Sequence, residues 1–287
     1  MTWIVFALLT AVCESLKDVF SKKGLANIDE YVIAWSLRFF ALPFLLPVLF
    51  FVKTPTLTKD FWLALFLGGG INAICTILYM KAIKQSALSL TVPLVALTPM
   101  FLLLTSPFMV GEFPDLSGVI GIVLIVSGSY VLNFKTATRG YFAPFRALLQ
   151  EPGPKLMLLT AFLWSISANF DKIGIQNSSP LFWSLAATVF MSLALIPILL
   201  YKSPRAVQQI PVVFKKLLPL GFFCALTVIF QMLAVSLTLV AHVIAIKRTS
   251  TVMSVVWGHL IFKEEGLRNR LLGASIMIVG VLLISLF

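Results

Sequence analysis

The two halves of the chain repeat one another at a nearly constant offset. Thr10, Ala11, Ser15, Phe20, Lys22, Gly24 and Asn27 recur 150 positions later as Thr160, Ala161, Ser165, Phe170, Lys172, Gly174 and Asn177. After a short deletion Trp35-Ser36-Leu37 matches Trp183-Ser184-Leu185. At an offset of 152, Glu112, Gly121 and Gly128 then match Glu264, Gly273 and Gly280. Both copies are mostly apolar: 60% of residues are hydrophobic, 11% are charged, and the mean hydropathy is +1.02. That composition excludes an ordinary soluble domain. An internal repeat within an apolar chain is the signature of secondary transporters, whose binding sites lie where the repeats meet.

A helix crosses the hydrocarbon with about 20 apolar residues. Ten stretches qualify, at about 3–21, 31–52, 61–81, 86–110, 115–134, 155–175, 180–201, 217–238, 240–262 and 267–287. The fold class is therefore an all-α membrane protein of ten transmembrane helices. The first five-helix repeat covers 1–134, a linker covers 135–154, and the second repeat covers 155–287. An odd number of spans per copy places the copies in opposite orientations, as an inverted repeat. Fifteen of the 22 basic residues fall in the loops of one side, and only Lys53, Lys59 and Lys172 in those of the other. The positive-inside rule makes the richer side cytoplasmic and puts both termini outside, in a bacterial inner membrane. The first apolar stretch belongs to the repeat, so it reads as a span and not a removable signal. The net charge of +11 is loop charge by this reading. No basic stripe with interleaved aromatics suggests nucleic acid.

Six charges lie well inside spans: Glu14, Lys17 and Asp18 in span 1, Arg38 in span 2, Lys247 and Arg248 in span 9. Each costs about 2.5–3.5 kcal/mol at a bilayer centre on insertion scales, so each requires a reason. The repeat register places Glu14 opposite Trp164, Lys17 opposite Ser167, Asp18 opposite Ala168 and Arg38 opposite Ala186. Lys247 and Arg248 fall opposite Val95 and Ala96. The sister half builds the same helices without these charges, which points to a site instead of scaffold. Thr10, Glu14, Lys17/Asp18 and Ser21 share one face of span 1; Asn72, Thr76 and Tyr79 one face of span 3; Lys247, Thr251 and Ser254 one face of span 9. For the Thr and Ser members alone, helix-to-helix glue is the simpler explanation. The six charges sum to +2, which favours an anion. An adjacent Lys-Arg pair offers it a point charge and a planar fork. The candidate substrate residues are Lys247, Arg248, Lys17, Arg38, Thr251, Asn72 and Tyr79. Glu14 and Asp18 are the coupling acids or counter-ions.

The acidic residue closing the fourth span of each half (Val110-Gly111-Glu112 and Phe262-Lys263-Glu264), the Gly-x6-Gly pairs Gly121/Gly128 and Gly273/Gly280, and the Pro-bearing fourth span carry a family likeness. On these marks the chain resembles the drug/metabolite transporter superfamily, and EamA-type permeases within it. The resemblance implies helices arranged around a central cavity with alternating access. It also implies that spans 5 and 10 serve as scaffold or as a homodimer surface, although the glycines by themselves read as close helix packing. It leaves the substrate open among amino acids, sugars, nucleotide-sugars, phosphorylated metabolites and drugs. The run from Lys247-Arg248 to Phe262-Lys263 also resembles the ninth span of triose-phosphate/phosphate translocators, in which a Lys-Arg pair holds the substrate phosphate. Carried over, Lys247 and Arg248 are an oxyanion clamp. This chain departs from that pattern by having no lysine in span 4, so a carboxylate is as open as a phosphate.

No GxxxxGK[ST] run is present, so no ATP-driven step is expected on this chain. His242 and His259 are 17 apart without a carboxylate cluster, and Cys13, Cys75 and Cys224 are isolated. No metal, cofactor or catalytic constellation follows, and the chain is not read as an enzyme. The leading expectation is a permease for a small phosphorylated or carboxylated metabolite, driven by a proton or by exchange of a second metabolite. One rival is an exporter of amino acids or other zwitterions, with Glu14 or Asp18 on the amine and Arg248 on the carboxylate. Another is a lipid-handling or structural membrane protein with no soluble substrate.

Overall fold

In lipid a backbone must satisfy its own polar groups, and a long apolar stretch without turn residues does so as a helix. A computed structural model describes residues 2–25, 28–52, 55–85, 94–133, 151–204, 210–253, 256–257 and 267–286, and among them every regular element is helical. The first half contributes α1 (Thr2–Leu25), α2 (Glu30–Phe39), α3 (Leu42–Leu45) running into a 3-10 turn (Leu46–Phe50), and α4 (Lys59–Leu63). A π segment (Ala64–Gly68) joins α4 to α5 (Gly69–Gln85), followed by α6 (Thr98–Met109) and α7 (Leu116–Asn133). The second half contributes α8 (Pro152–Gln176), α9 (Pro180–Lys202), α10 (Ile210–Leu237), α11 (Val240–Lys247) and α12 (Leu267–Leu286). Four stretches of the described chain are long and apolar enough to cross a membrane: Glu30–Phe50, Lys59–Tyr79, Pro180–Lys202 and Leu217–Leu237.

Proline decides where two of the helices break. Pro43 and Pro47 each sit at the start of a new segment in span 2, where a missing N–H costs least. Pro107 and Pro197 are accommodated inside α6 and α9. Residues 86–93, which include Pro93, lie outside the described residues.

Packing divides the chain into two compact units that cut across the sequence halves. One is Thr2–Ala73 with Phe170–Leu237, the other Ile74–Asn169 with Thr238–Phe287. In the first, α1 lies along α10, with Phe6 stacked on Phe230 and Phe20 on Phe223. α2 buries Val32, Ile33 and Phe40 against Leu199 of α9 and Leu217 and Leu220 of α10. Trp183 is buried and donates from Nε1 to Asp171 Oδ1 at 2.9 Å. In the second unit, Ala82, Leu94, Val95 and Met157 form a buried cluster beside Tyr79 and Trp164.

The second unit is also where the glycine pairs act. A methyl group built on Gly121 would lie 2.8 Å from Gly280 O, and one on Gly128 would lie 2.6 Å from Gly273 O. The pairing of 121 with 280 and 128 with 273 makes α7 and α12 antiparallel neighbours in backbone contact, the close approach that small residues permit. The glycine faces are thus turned on each other within the chain. Leu116, Ile120, Leu272 and Leu282 stand exposed on the same two helices.

The methyl group of Gly128→Ala would also meet the backbone nitrogen of Met277 at 2.8 Å, an atom that cannot swing aside. The substitution is expected to cost about 1–3 kcal/mol, as overpacking does. It should lower the melting temperature of the detergent-purified protein; an unchanged melting temperature would show that α7 and α12 do not pack this way.

Candidate functional site

Two helix discontinuities occupy corresponding positions of the two repeats, both in the second unit. In span 4 the chain turns at Ala96-Leu97, with i→i+3 bonds from Leu97 N to Leu94 O (3.1 Å) and Met100 N to Leu97 O (2.9 Å). In span 9 it turns at Arg248-Thr249, with Thr249 N donating to Ile246 O and Val252 N to Thr249 O, both 2.9 Å. Adding 152 to each residue of the first pair of bonds gives the second pair. The sequence causes differ. In span 4, Pro99 has no N–H to give. In span 9, hydroxyls take up the loosened carbonyls: Thr249 Oγ1 donates to Ile246 O and Thr251 Oγ1 to Arg248 O, both at 2.7 Å. Thr251 Oγ1 also approaches Met277 Sδ at 3.9 Å.

Arg248 therefore stands in an irregular turn, not on a smooth helix, and Lys247 is the last residue of α11. Both side chains are partly buried. The Arg248 guanidinium donates from Nη2 to Thr98 Oγ1 at 2.9 Å, and Thr98 Oγ1 donates in turn to Val95 O at 2.7 Å. One hydrogen bond thus joins the two discontinuities. The positive end of α6 begins at the same threonine.

The other sequence candidates divide between the units. Tyr79 and Thr251 lie in the unit that holds Lys247 and Arg248; Glu14, Lys17, Asp18, Arg38 and Asn72 lie in the other. Tyr79 packs on Trp164, the repeat counterpart of Glu14, with ring centres 5.4 Å apart. Glu14 and Lys17 form an ion pair at 2.7 Å one turn apart on α1. Asp18 is exposed. Arg38 is in the last turn of α2, where the helix dipole favours a cation. Thr10 and Ser21 bond their own helix, to Phe6 O and Lys17 O, the glue expected of hydroxyls alone. Ser254 lies outside the described residues.

Several polar contacts escaped the sequence reading. Glu112 accepts the backbone N–H of Val240 through Oε2 at 3.0 Å and so caps α11 at its first residue. The N-cap residue Leu239 offers no side-chain acceptor. The acid that closes span 4 thus secures the start of the helix that ends in Lys247. Beside it, Asp115 accepts Gly118 N and Ser117 Oγ at the start of α7, and a methyl on Gly118 would sit 2.5 Å from His242 Nε2. His242 therefore does have a carboxylate neighbourhood, built by residues more than a hundred positions away. Among the described residues no cluster has the makings of a metal site. Asn169 is fully buried, bonded to Thr105 Oγ1 and Ser165 O and accepting from Ser106 Oγ. Lys172, which the orientation argument places in an outer loop, is instead buried near the end of α8. Its Nζ donates to Val235 O at 2.8 Å and satisfies the end of α10. The poorer side of the charge asymmetry is left with Lys53 and Lys59.

The Gly118 and Ser117 hydrogen bonds, with a smaller attraction from His242, hold the Asp115 carboxyl below its ordinary 3.8. A depressed carboxylate contributes stability above its unfolded pKa and loses it as pH falls through the folded one. Thermal stability between pH 5 and about 3 should therefore fall more steeply in the native protein than in Asp115→Asn. Parallel curves would show that the cap does not stabilise the charged form.

The profile of the EamA-like transporter family matches residues 1–134 and again 152–286. An uncharacterized transporter of Archaeoglobus fulgidus is 23% identical over 292 residues, spanning all of this chain and 99% of the relative. An uncharacterized transporter of Clostridium kluyveri is 30% identical over 137 residues, 46% of this chain and 44% of the relative. A solved crystal structure shares the fold, with a TM-score of 0.73 over 99% of this chain and 96% of that one at 12% identity.

Proposed function

Because the chain belongs to the EamA-like transporter family, whose members are multi-pass integral membrane proteins, we propose that it is a secondary transporter of a small organic anion, with Lys247 and Arg248 as the oxyanion clamp. One observation carries this reading: the Lys-Arg pair flanks a helix discontinuity that has an uncharged counterpart in the other repeat. Interrupted segments at corresponding positions of two halves are where transporters of repeat architecture place their substrates. A charge there is costly unless used, and Ala96 shows that the turn forms without it. The Glu14–Lys17 pair removes one acid and one base from the six intramembrane charges. Asp18, Arg38, Lys247 and Arg248 then still sum to +2, which favours a phosphorylated or carboxylated substrate.

Ten spans as an inverted repeat complete the proposal. The antiparallel α7 and α12, counterparts in the two copies, support opposite orientations. Cytoplasmic placement of the basic loops puts both termini outside, in a bacterial inner membrane. Coupling comes from a proton on Glu14 or Asp18 or from exchange of a second metabolite. The exposed flanks of α7 and α12 are the surface through which two copies would pair.

Thermal stabilisation of the purified protein by inorganic phosphate, phosphoglycerate, succinate and zwitterionic amino acids tests the substrate class. Anions should stabilise it selectively. Arg248→Ala should raise the half-saturating concentration at least ~10-fold, the value of one charge-assisted hydrogen bond, and Lys247→Ala should do likewise. Stabilisation by amino acids that survives Arg248→Ala and is lost in Glu14→Gln would replace the anion by a zwitterion. Stabilisation by none of these solutes would favour a lipid-handling or structural role.

A further inference from the structure

We infer that Thr98 is a positioning residue for the clamp: it holds the Arg248 guanidinium in the orientation that receives the substrate anion. The inference rests on the anion reading above and names a residue on span 4 that acts in it. Thr98 is almost wholly buried (1% exposed), at the first position of α6, directly after the turn at Ala96-Leu97 and directly before Pro99. Its hydroxyl proton is committed to Val95 O at 2.7 Å, so its lone pairs are fixed in direction. One of them accepts Arg248 Nη2 at 2.9 Å. A buried hydroxyl with its proton spoken for can act on a guanidinium only as an acceptor. It takes an N–H at Nη2 and so restrains where the remaining donors lie.

Positioning matters for this side chain in particular. A free arginine surrenders rotamer freedom when it grips a ligand, and a guanidinium already tethered at one nitrogen has surrendered part of it beforehand. The tether also crosses between the repeats. The residue equivalent to Thr98 in the second copy is Ser250, and the residue equivalent to Arg248 in the first is Ala96. Thr98 and Arg248 therefore form a bond that the repeat does not reproduce. Span 4 lacks the lysine that the translocator-like pattern would supply, and here it contributes an acceptor for the arginine instead of a third cation.

The test is the half-saturating concentration of inorganic phosphate and of succinate for thermal stabilisation. It is measured for the native protein, Thr98→Val, Thr98→Ser, Arg248→Ala and the double variant Thr98→Val/Arg248→Ala. Valine keeps the volume and removes the acceptor; serine restores it. Thr98→Val is expected to weaken both anions about 10-fold, Thr98→Ser to return to within about 3-fold of native, and Thr98→Val to add nothing in the Arg248→Ala background. Native-like affinity in Thr98→Val alongside lost affinity in Arg248→Ala overturns the inference and leaves the clamp standing. Tighter binding in Thr98→Val makes the threonine a latch that the anion must displace, and also overturns it. A further loss in the double variant means that Thr98 acts independently of Arg248, and overturns the inference too. If neither anion stabilises the native protein, or Arg248→Ala binds them normally, the anion reading fails and takes the inference with it. Should Thr98→Val fail to fold, Thr98→Ala, which also removes the acceptor, carries the same comparison.

Discussion

A backbone carbonyl released from a helix in a buried apolar setting has no water to turn to, and the second unit of this protein meets that demand twice. At Ala96-Leu97 and again at Arg248-Thr249 the i→i+4 ladder gives way to i→i+3 bonds. The loosened groups are met by Thr98, Thr249 and Thr251 hydroxyls. An unsatisfied group in hydrocarbon costs several kcal/mol, so these turns persist only where side chains are ready to receive them. The Arg248–Thr98 bond then connects the two turns. The chemistry proposed for the protein is a by-product of satisfying buried backbone groups.

The neighbouring elements hold that arrangement in register. Glu112 secures the start of α11 and so fixes the helix at the end opposite Lys247. Gly121, Gly128, Gly273 and Gly280 bring α7 and α12 into backbone contact, behind which Met277 reaches Thr251. In the other unit the long helices α1, α9 and α10 pack by aromatic stacking and aliphatic burial around α2. Each unit draws helices from both sequence copies, so the repeat in the sequence and the packing in space are partitions of different kinds.

Much of the fold was legible because its signals are periodic or repeated. Apolar length located the four stretches long enough to span, the offset of 148 to 152 identified counterpart residues, and the glycine pairs announced a close helix contact. Six charges within apolar stretches stood out because their counterparts are neutral. What stayed hidden depends on contacts between distant residues. Glu112 is recognisable as a motif but not as a cap, because Val240 lies 128 positions away. Asn169 reads as one polar residue among several until Ser106 and Thr105 are brought to it. Lys172 looked like a loop cation because it lies within two turns of a helix end; its burial against Val235 O depends on the path of α10. Thr98 had one local clue, a hydroxyl immediately before the proline of a helix break, which by itself suggests only a back-bonded turn.

The most direct measurement is site-resolved labelling of arginines by phenylglyoxal, read by peptide mass spectrometry, with and without inorganic phosphate, succinate and a neutral sugar. If the paired turns form an anion site, the anions slow modification of Arg248 and leave Arg38 and the loop arginines unaffected, and the sugar protects none. If Arg248 reacts at the same rate under every condition, the turns are scaffold and the substrate must be sought elsewhere in the protein.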